Sequence, residues 1–278
     1  MTDREPADRR PRRFELQDGT IGETEGTGPP LVLLHGVGLD RAMWTAQVHA
    51  FRRHFKVIAY DLLGHGQSPR VTSSATFDDY VGQLARVVAE IAGGRAMIVG
   101  FSFGGLIALG YAAAYPGSVR KLMLMSTVCD RSPDERRAVL DRLAVAGSEG
   151  LEATLEAALG RWFSASYRHD HPKSISDLRQ RFLANDKESF LAAYRIFATA
   201  DAALVGRLGQ IGAPTLALTG ELDTGSTPQM ARRMADAIPG AAYSIIPAGR
   251  HMMAMELAAT VNEVLVEFAV QSHRETEE

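Results

Sequence analysis

The sequence predicts an α/β architecture: a mostly parallel sheet with helices on both faces and a helical cap inserted between two of its strands. Short aliphatic runs alternate with longer amphipathic stretches, and that alternation lapses for about seventy residues between Asp130 and Ala200. The chain is 278 residues long, a length at which open α/β sheets fold as one unit.

Phe14 to Glu25, with Gly19 at its centre, reads as an opening antiparallel hairpin. Strand candidates follow at Leu31–His35, Lys56–Tyr60, Ala96–Gly100, Lys121–Ser126, Pro214–Thr219 and Ala242–Pro247. Such short β-branched or aliphatic runs suit strands covered on both faces. Phe77–Ala92, Phe103–Tyr115, Thr227–Ile238 and Met255–Val270 supply covering helices. The insertion has helical periodicity in four pieces, broken near Gly147, Gly160, His171–Pro172 and Asn185–Asp186. It holds Trp162, Phe163, Tyr167, Phe182, Phe190, Tyr194 and Phe197. Most of these are expected to form the seam between cap and sheet, and a minority to face the apolar cavity that a cap over a sheet edge encloses. The division is therefore a disordered, solvated tail over 1–13, a core over 14–130 and 201–271, and a cap over 131–200.

Composition excludes several classes. With 46% hydrophobic and 23% charged residues the chain is neither intrinsically disordered nor fibrous. A formal net charge of -3 gives no global attraction for phosphate backbones, so nucleic acid is not an expected partner. The single cysteine, Cys129, excludes an intramolecular disulfide and a cysteine-based zinc cluster. No H-E-x-x-H motif is present, and neither metal nor cofactor is expected. Gly36 and Gly38 lack the lysine that a phosphate-binding loop requires. No apolar run approaches the roughly 18 to 20 residues that span a bilayer, so no membrane is expected. The arginines around Arg9 to Arg13 are followed by no apolar core that would make them an export signal, which leaves the cytoplasm as the default location. A small-molecule substrate is the expected partner, and a homodimer is left open.

The strongest local signal is Gly100-Phe101-Ser102-Phe103-Gly104-Gly105, between a strand candidate and a helix candidate. A residue at so tight a junction is held in a strained backbone conformation, and small residues two before and two after it let neighbouring backbone approach. The geometry lifts the Ser102 hydroxyl above a helix N-terminus, which favours a developing anion. A serine hydroxyl is a poor nucleophile at neutral pH and needs a base, which in turn needs an orienting acid. His251 follows the last strand candidate by a short loop, and Asp223 follows the strand at Pro214–Thr219. Loops at the carboxyl ends of parallel strands gather at one edge, so the order serine, acid, histidine brings the three together.

Further residues compete for the roles of base and acid. His54, His169, His171 and His273 lie in polar or helical surroundings; His35, His49 and His65 remain candidates, but neither His35 nor His65, the two nearest the expected site edge, has an acid placed like Asp223. Asp130, at the cap boundary, is the alternative acid, and Glu221 a third. For acyl transfer, backbone N–H groups of Phe103 and of Val37, in the turn His35-Gly36-Val37-Gly38, are the candidate oxyanion donors.

Taken together, His35-Gly36-Val37-Gly38, Asp61 to Ser68, Gly100 to Gly105, Gly220 to Asp223 and Gly249-Arg250-His251 resemble the α/β-hydrolase family from about Phe14 to Val270. The resemblance implies an eight-stranded sheet with a helical cap after the sixth strand. Arg161-Trp162-Phe163, Ala200-Asp201 and Met43-Trp44 look like 3-oxoadipate enol-lactonases and related ring-cleavage-product hydrolases. That implies a serine hydrolase acting through an acyl-enzyme on an ester, lactone or amide of a small carboxylate-bearing metabolite. Related enzymes that hydrolyse acylaminomethylene-succinates are similar in outline, and in some the acid follows the sixth strand, as Asp130 does. Carbon–carbon hydrolases usually have asparagine before the serine and tryptophan after the histidine, where this chain has Phe101 and Met252. Dehalogenases and epoxide hydrolases of this fold attack with aspartate. A cofactor-free perhydrolase of the haloperoxidase type and a ligand receptor on the hydrolase fold would carry similar residues. For a dicarboxylate, Arg161 and Arg195, with Trp162, are the expected substrate-binding residues of the cap.

Overall fold

The computed structural model describes residues 11–270. Eight strands form one sheet: β1 (Arg12–Glu15), β2 (Ile21–Glu25), β3 (Pro30–Leu34), β4 (Lys56–Tyr60), β5 (Ala96–Phe101), β6 (Val119–Met125), β7 (Thr215–Gly220) and β8 (Ala242–Ile246). Their spatial order is β1-β2-β4-β3-β5-β6-β7-β8. β1 pairs antiparallel with β2 and β2 with β4; every other pairing is parallel. Of the tail expected at 1–13, residues 1–10 lie outside the described residues. Arg12 and Arg13 depart from the expectation, because they pair with Thr24 and Glu23 and extend the opening hairpin.

The helices are α1 (Thr45–Phe51), α2 (Phe77–Glu90), α3 (Phe103–Ala114), α4 (Pro133–Trp162), α5 (Ala165–Asp170), α6 (Pro172–Leu183), α7 (Lys187–Thr199), α8 (Asp201–Leu204), α9 (Pro228–Ala237), α10 (Met253–Glu256) and α11 (Ala258–Val270). Alternate residues of each central strand enter opposite cores. Val32 and Leu34 of β3 join one cluster, with α2 and α3; Leu31 and Leu33 join the other, with Phe51 of α1 and Leu265 of α11. Both faces of β3 are therefore dry, which explains a strand with no polar alternation.

β3 has β4 on one side and β5 on the other. The chain turns one way after β3 and the opposite way after β4, so the loops leaving β3 and β5 diverge at the carboxyl edge. That divergence opens a crevice of the kind in which α/β sheets bind ligands.

Helices α4 to α7 lie in the connection between β6 and β7, where the cap is expected, and α8 follows at its exit. Its breaks fall partly where composition places them. Pro172 opens α6, and Asp186 caps α7 by accepting from Ser189 N–H. The break expected near Gly147 falls at Gly150, whose φ of 89° and ψ of -176° are non-helical and kink α4 into two segments. The break expected near Gly160 falls two residues on, where α4 ends at Trp162. Glycine adopts the positive φ at 150 without the steric cost that a side chain would impose.

The two ends of the cap are bolted together. Asp201, fully buried, accepts from Arg131 N–H and from the Arg131 guanidinium, both at 3.0 Å, and from Arg136 at 3.3 Å. The Arg131 side chain is 2% exposed and lies over the Phe197 ring. Removing one member of such a pair leaves a buried charge without compensation. Asp201→Ala is expected to lower the unfolding free energy by about 3–5 kcal/mol, read from urea denaturation; a loss below about 1 kcal/mol, the value of an exposed pair, would show that the pair contributes little.

Candidate active site

Ser102 sits between β5 and α3 with φ 54° and ψ -112°, a conformation non-glycine residues rarely adopt. Its N–H donates to Met125 O at 2.9 Å and its carbonyl accepts from Gly105 N–H at 3.0 Å, which pins the bend on both sides. Three glycines make it sterically feasible. A Cβ on Gly100 would strike the backbone of Gly104 and Gly105, one on Gly104 the Leu34 and His35 carbonyls, and one on Gly105 the Thr127 side chain. Phe103 opens α3, so its N–H has no carbonyl within the helix to bond.

Asp223 and His251 arrive on the loops after β7 and β8, and those loops are laced together. Leu222 N–H donates to Gly249 O at 2.8 Å, Ala248 N–H to Glu221 Oε2 at 2.9 Å, and Gly220 leaves no room for a Cβ against Gly249. Glu221, the third candidate acid, is therefore occupied with the backbone. Asp223 is buried; its Oδ1 accepts from Gly225 N–H and Ser226 N–H, both at 2.9 Å, and its Oδ2 accepts from His251 Nδ1–H at 2.8 Å. The ring of His251 lies between Phe101 and Trp162, with centroids 5.0 and 6.2 Å away. This fixes both the tautomer and the plane of the imidazole and leaves Nε2 as the atom able to take a proton.

Ser102, Asp223 and His251 line one cavity, together with Gly36, Val37 and Leu39 from the loop after β3. Asp130 does not line it: its side chain is exposed, its φ is 48°, and its carbonyl accepts from Arg233. The loop after β3 is braced from the core by His35. His35 Nε2 accepts from Leu62 N–H at 2.9 Å, so Nδ1 carries the proton and donates to Gly36 O at 2.8 Å. Gly36 C=O and Val37 N–H are opposite ends of one planar peptide; holding the first aims the second.

The cap closes the cavity with Arg142, Thr154, Ala158, Arg161, Trp162, Phe182, Phe190, Tyr194 and Phe197. Arg161 and Trp162 thus lie where expected. Arg195 does not: it is exposed and donates to Ser73 O and Ala75 O, clipping α7 to a surface loop. Its aromatic neighbours Tyr194 and Phe197 face inward while it faces out, the ordinary consequence of helical periodicity. Arg142 escapes sequence reasoning. It lies nineteen positions before Arg161 in the sequence of one helix, and only the kink at Gly150 brings both to one cavity. Burial pushes the Arg161 guanidinium down from its ordinary pKa, and the nearby Arg142 charge adds to that shift. Among the described residues neither arginine has a carboxylate within salt-bridge distance. Asp223, the one acid lining the cavity, is engaged by His251.

A doubly covered, mostly parallel sheet with a capped cavity at its carboxyl edge defines the alpha/beta hydrolase fold, and the chain belongs to that family: the family model matches residues 29–257. It is a hydrolase, as its relatives are. It is 31% identical to the (E)-2-((N-methylformamido)methylene)succinate hydrolase of Acinetobacter baylyi, over 87% of this chain and 90% of that protein. Among solved structures, the enol-lactonase of Burkholderia xenovorans LB400 superposes with a TM-score of 0.84 at 29% identity, covering 94% of this chain and 100% of the other. A malate-bound thermophilic esterase of Thermogutta terrifontis gives 0.81 at 28% identity, covering 94% and 98%. Among the described residues no helix is long and apolar enough to cross a membrane.

Behind the site, His65 packs its ring edge-on to His35, with centroids 5.2 Å apart. His65 Nδ1 donates to Leu63 O, and its buried Nε2 has no partner among the described residues. Burial first, and the neighbouring His35 second, push its pKa down to about 3. The unfolded chain takes up that proton near pH 6.5, so below this value it binds more protons than the folded chain and stability falls with pH. Between pH 7.5 and 5, His65 is expected to remove about 2 kcal/mol of unfolding free energy. Denaturant titrations at the two pH values should show that loss, with a smaller one in His65→Asn; equal losses would show that His65 is not the source.

Proposed function

We propose that the chain is a serine hydrolase that cleaves an ester, lactone or amide bond of a small dicarboxylate through an acyl-enzyme. The reading rests on one observation: a strained serine and a carboxylate-braced imidazole share a cavity with two arginines that lack carboxylate partners. In the proposed cycle Ser102 Oγ attacks the substrate carbonyl while its proton passes to His251 Nε2. Asp223 stabilises the imidazolium through Nδ1–H, and the N–H groups of Val37 and Phe103 receive the oxyanion. The tetrahedral adduct collapses as His251 returns the proton to the departing alcohol, enol or amine. Water then gives a proton to His251 as it attacks the acyl-enzyme, and collapse of the second adduct releases the acid while that proton passes from His251 to the departing Ser102 Oγ.

The substrate class follows from charge. Two guanidiniums without a carboxylate partner face the cavity, Arg161 partly desolvated by burial, and a ligand carboxylate offers each a charge-assisted, bidentate partner. Arg142 fills the role expected of Arg195. The relative from Acinetobacter baylyi, named for a succinate derivative bearing an amide, and the esterase with bound malate support a dicarboxylate.

Two measurements test the reading. A fluorophosphonate is expected to label Ser102, and Ser102→Ala to lower kcat by about 10⁴-fold or more; retained turnover would refute the mechanism. Arg142→Leu and Arg161→Leu are each expected to raise KM for carboxylated enol-lactones or methylene-succinate amides about 10- to 100-fold, with little change for a short neutral p-nitrophenyl ester. Preference for the neutral ester in the unsubstituted protein would refute the dicarboxylate assignment.

A further inference from the structure

The loop after β3 is braced from the cap as well as from the core. At the turn between α6 and α7, Asn185 Nδ2 donates to Gly38 O at 3.0 Å and to Phe182 O at 2.8 Å. Carbonyl oxygens only accept, so the amide is oriented with its NH₂ toward them. Beside it Arg181 Nε meets Asp40 Oδ2 at 3.2 Å. Gly38 has φ 75°, and the rings of Phe182 and Phe190 occupy the space a Cβ would need there. Gly38 itself therefore has no side chain with which to hold its peptide in place.

We infer that Asn185 is a positioning residue for the oxyanion hole, acting through two planar peptides in series. The first peptide joins Gly38 C=O to Leu39 N–H. Asn185 holds its oxygen, and its N–H donates to Gly36 O at 3.2 Å. The second joins Gly36 C=O to Val37 N–H, and peptide planarity transmits the orientation of one end to the other. Rotation of the outer peptide would withdraw one of the two donors on Gly36 O and leave His35 alone to aim the Val37 N–H. Asn185 belongs to the cap and Val37 to the core, so seating the cap and aiming the oxyanion donor are one event. Substrate contacts under the cap would then act on the chemical step as well as on binding.

The inference rests on the serine-hydrolase reading, and the test separates the two. Asn185→Leu keeps the approximate side-chain size and removes the donor. It is expected to lower kcat about tenfold, since small misplacements of a catalytic group are costly, with KM unchanged. A boronic acid, which forms a tetrahedral adduct on serine, should bind more weakly by a similar factor. Succinate, used as a ground-state competitor, should bind as before. Unchanged kcat and boronate affinity would overturn the inference, as would equal weakening of boronate and succinate, which marks a general loosening of the cavity. If Asn185→Leu does not fold, Arg181→Leu, altering a more exposed contact of the same turn, decides: it should lower kcat and boronate affinity two- to threefold, and no change in either overturns the inference. Fluorophosphonate labelling of Ser102 in the unsubstituted protein is the control. Its absence sinks the hydrolase reading and the inference together, whereas normal labelling with an unaffected Asn185→Leu sinks the inference alone.

Discussion

Everything at this site depends on one backbone conformation, the positive φ of Ser102 where β5 becomes α3. Such a conformation costs roughly 1–3 kcal/mol and persists only where its surroundings over-determine it. Here they do. Met125 O and Gly105 N–H hold the peptides on either side, and the glycines at 100, 104 and 105 let β3, α3 and Thr127 close within backbone distance. The bend turns the side chain away from the sheet and delivers it to the carboxyl edge. The same closeness sets the reach of the neighbouring loops: His35 O lies 2.6 Å from where a Gly104 Cβ would be, so the turn carrying Val37 is built against the bend.

The other groups are placed by pairing rather than by strain. The loops after β7 and β8 are joined by backbone hydrogen bonds and by Glu221, so Asp223 and His251 are held together as one unit. The cap reaches that unit at two points. Trp162 stacks on the imidazole and its carbonyl accepts from Met252 N–H, while Ser164 N–H donates to the Glu256 carboxylate. With the Arg131–Asp201 bolt at its base and Asn185 at the far turn, the cap contacts the core around the rim of the cavity.

Much of this is legible in the sequence, for identifiable reasons. Strands covered on both faces leave uninterrupted apolar runs, so their places can be read to within a residue or two, and the glycine pattern around Ser102 is steric necessity written in sequence. The meeting of His251 with Asp223 follows from the rule that parallel strands deliver their loops to one edge. The cap is harder. Arg195 looks inward because its neighbours are aromatic, but α7 turns about 100° per residue and carries Arg195 to solvent while Tyr194 and Phe197 go in. Periodicity cannot find Arg142, since its convergence with Arg161 depends on a dihedral at Gly150. Asn185 marks a helix break and nothing more; its role depends on which carbonyl the fold sets opposite it.

The charges that line the cavity do not balance. Asp223 is already satisfied by two backbone N–H groups and the imidazole, so it cannot neutralise the cap arginines as well. Arg142 and Arg161 therefore leave the cavity with net positive character. In the proposed reaction a bound dicarboxylate removes that excess, each carboxylate meeting one guanidinium. A neutral ester of the same size would leave both arginines without a counter-charge while burying them further. On the proposed reading the cap arginines therefore select substrate by charge, and the aromatic side chains around them by shape.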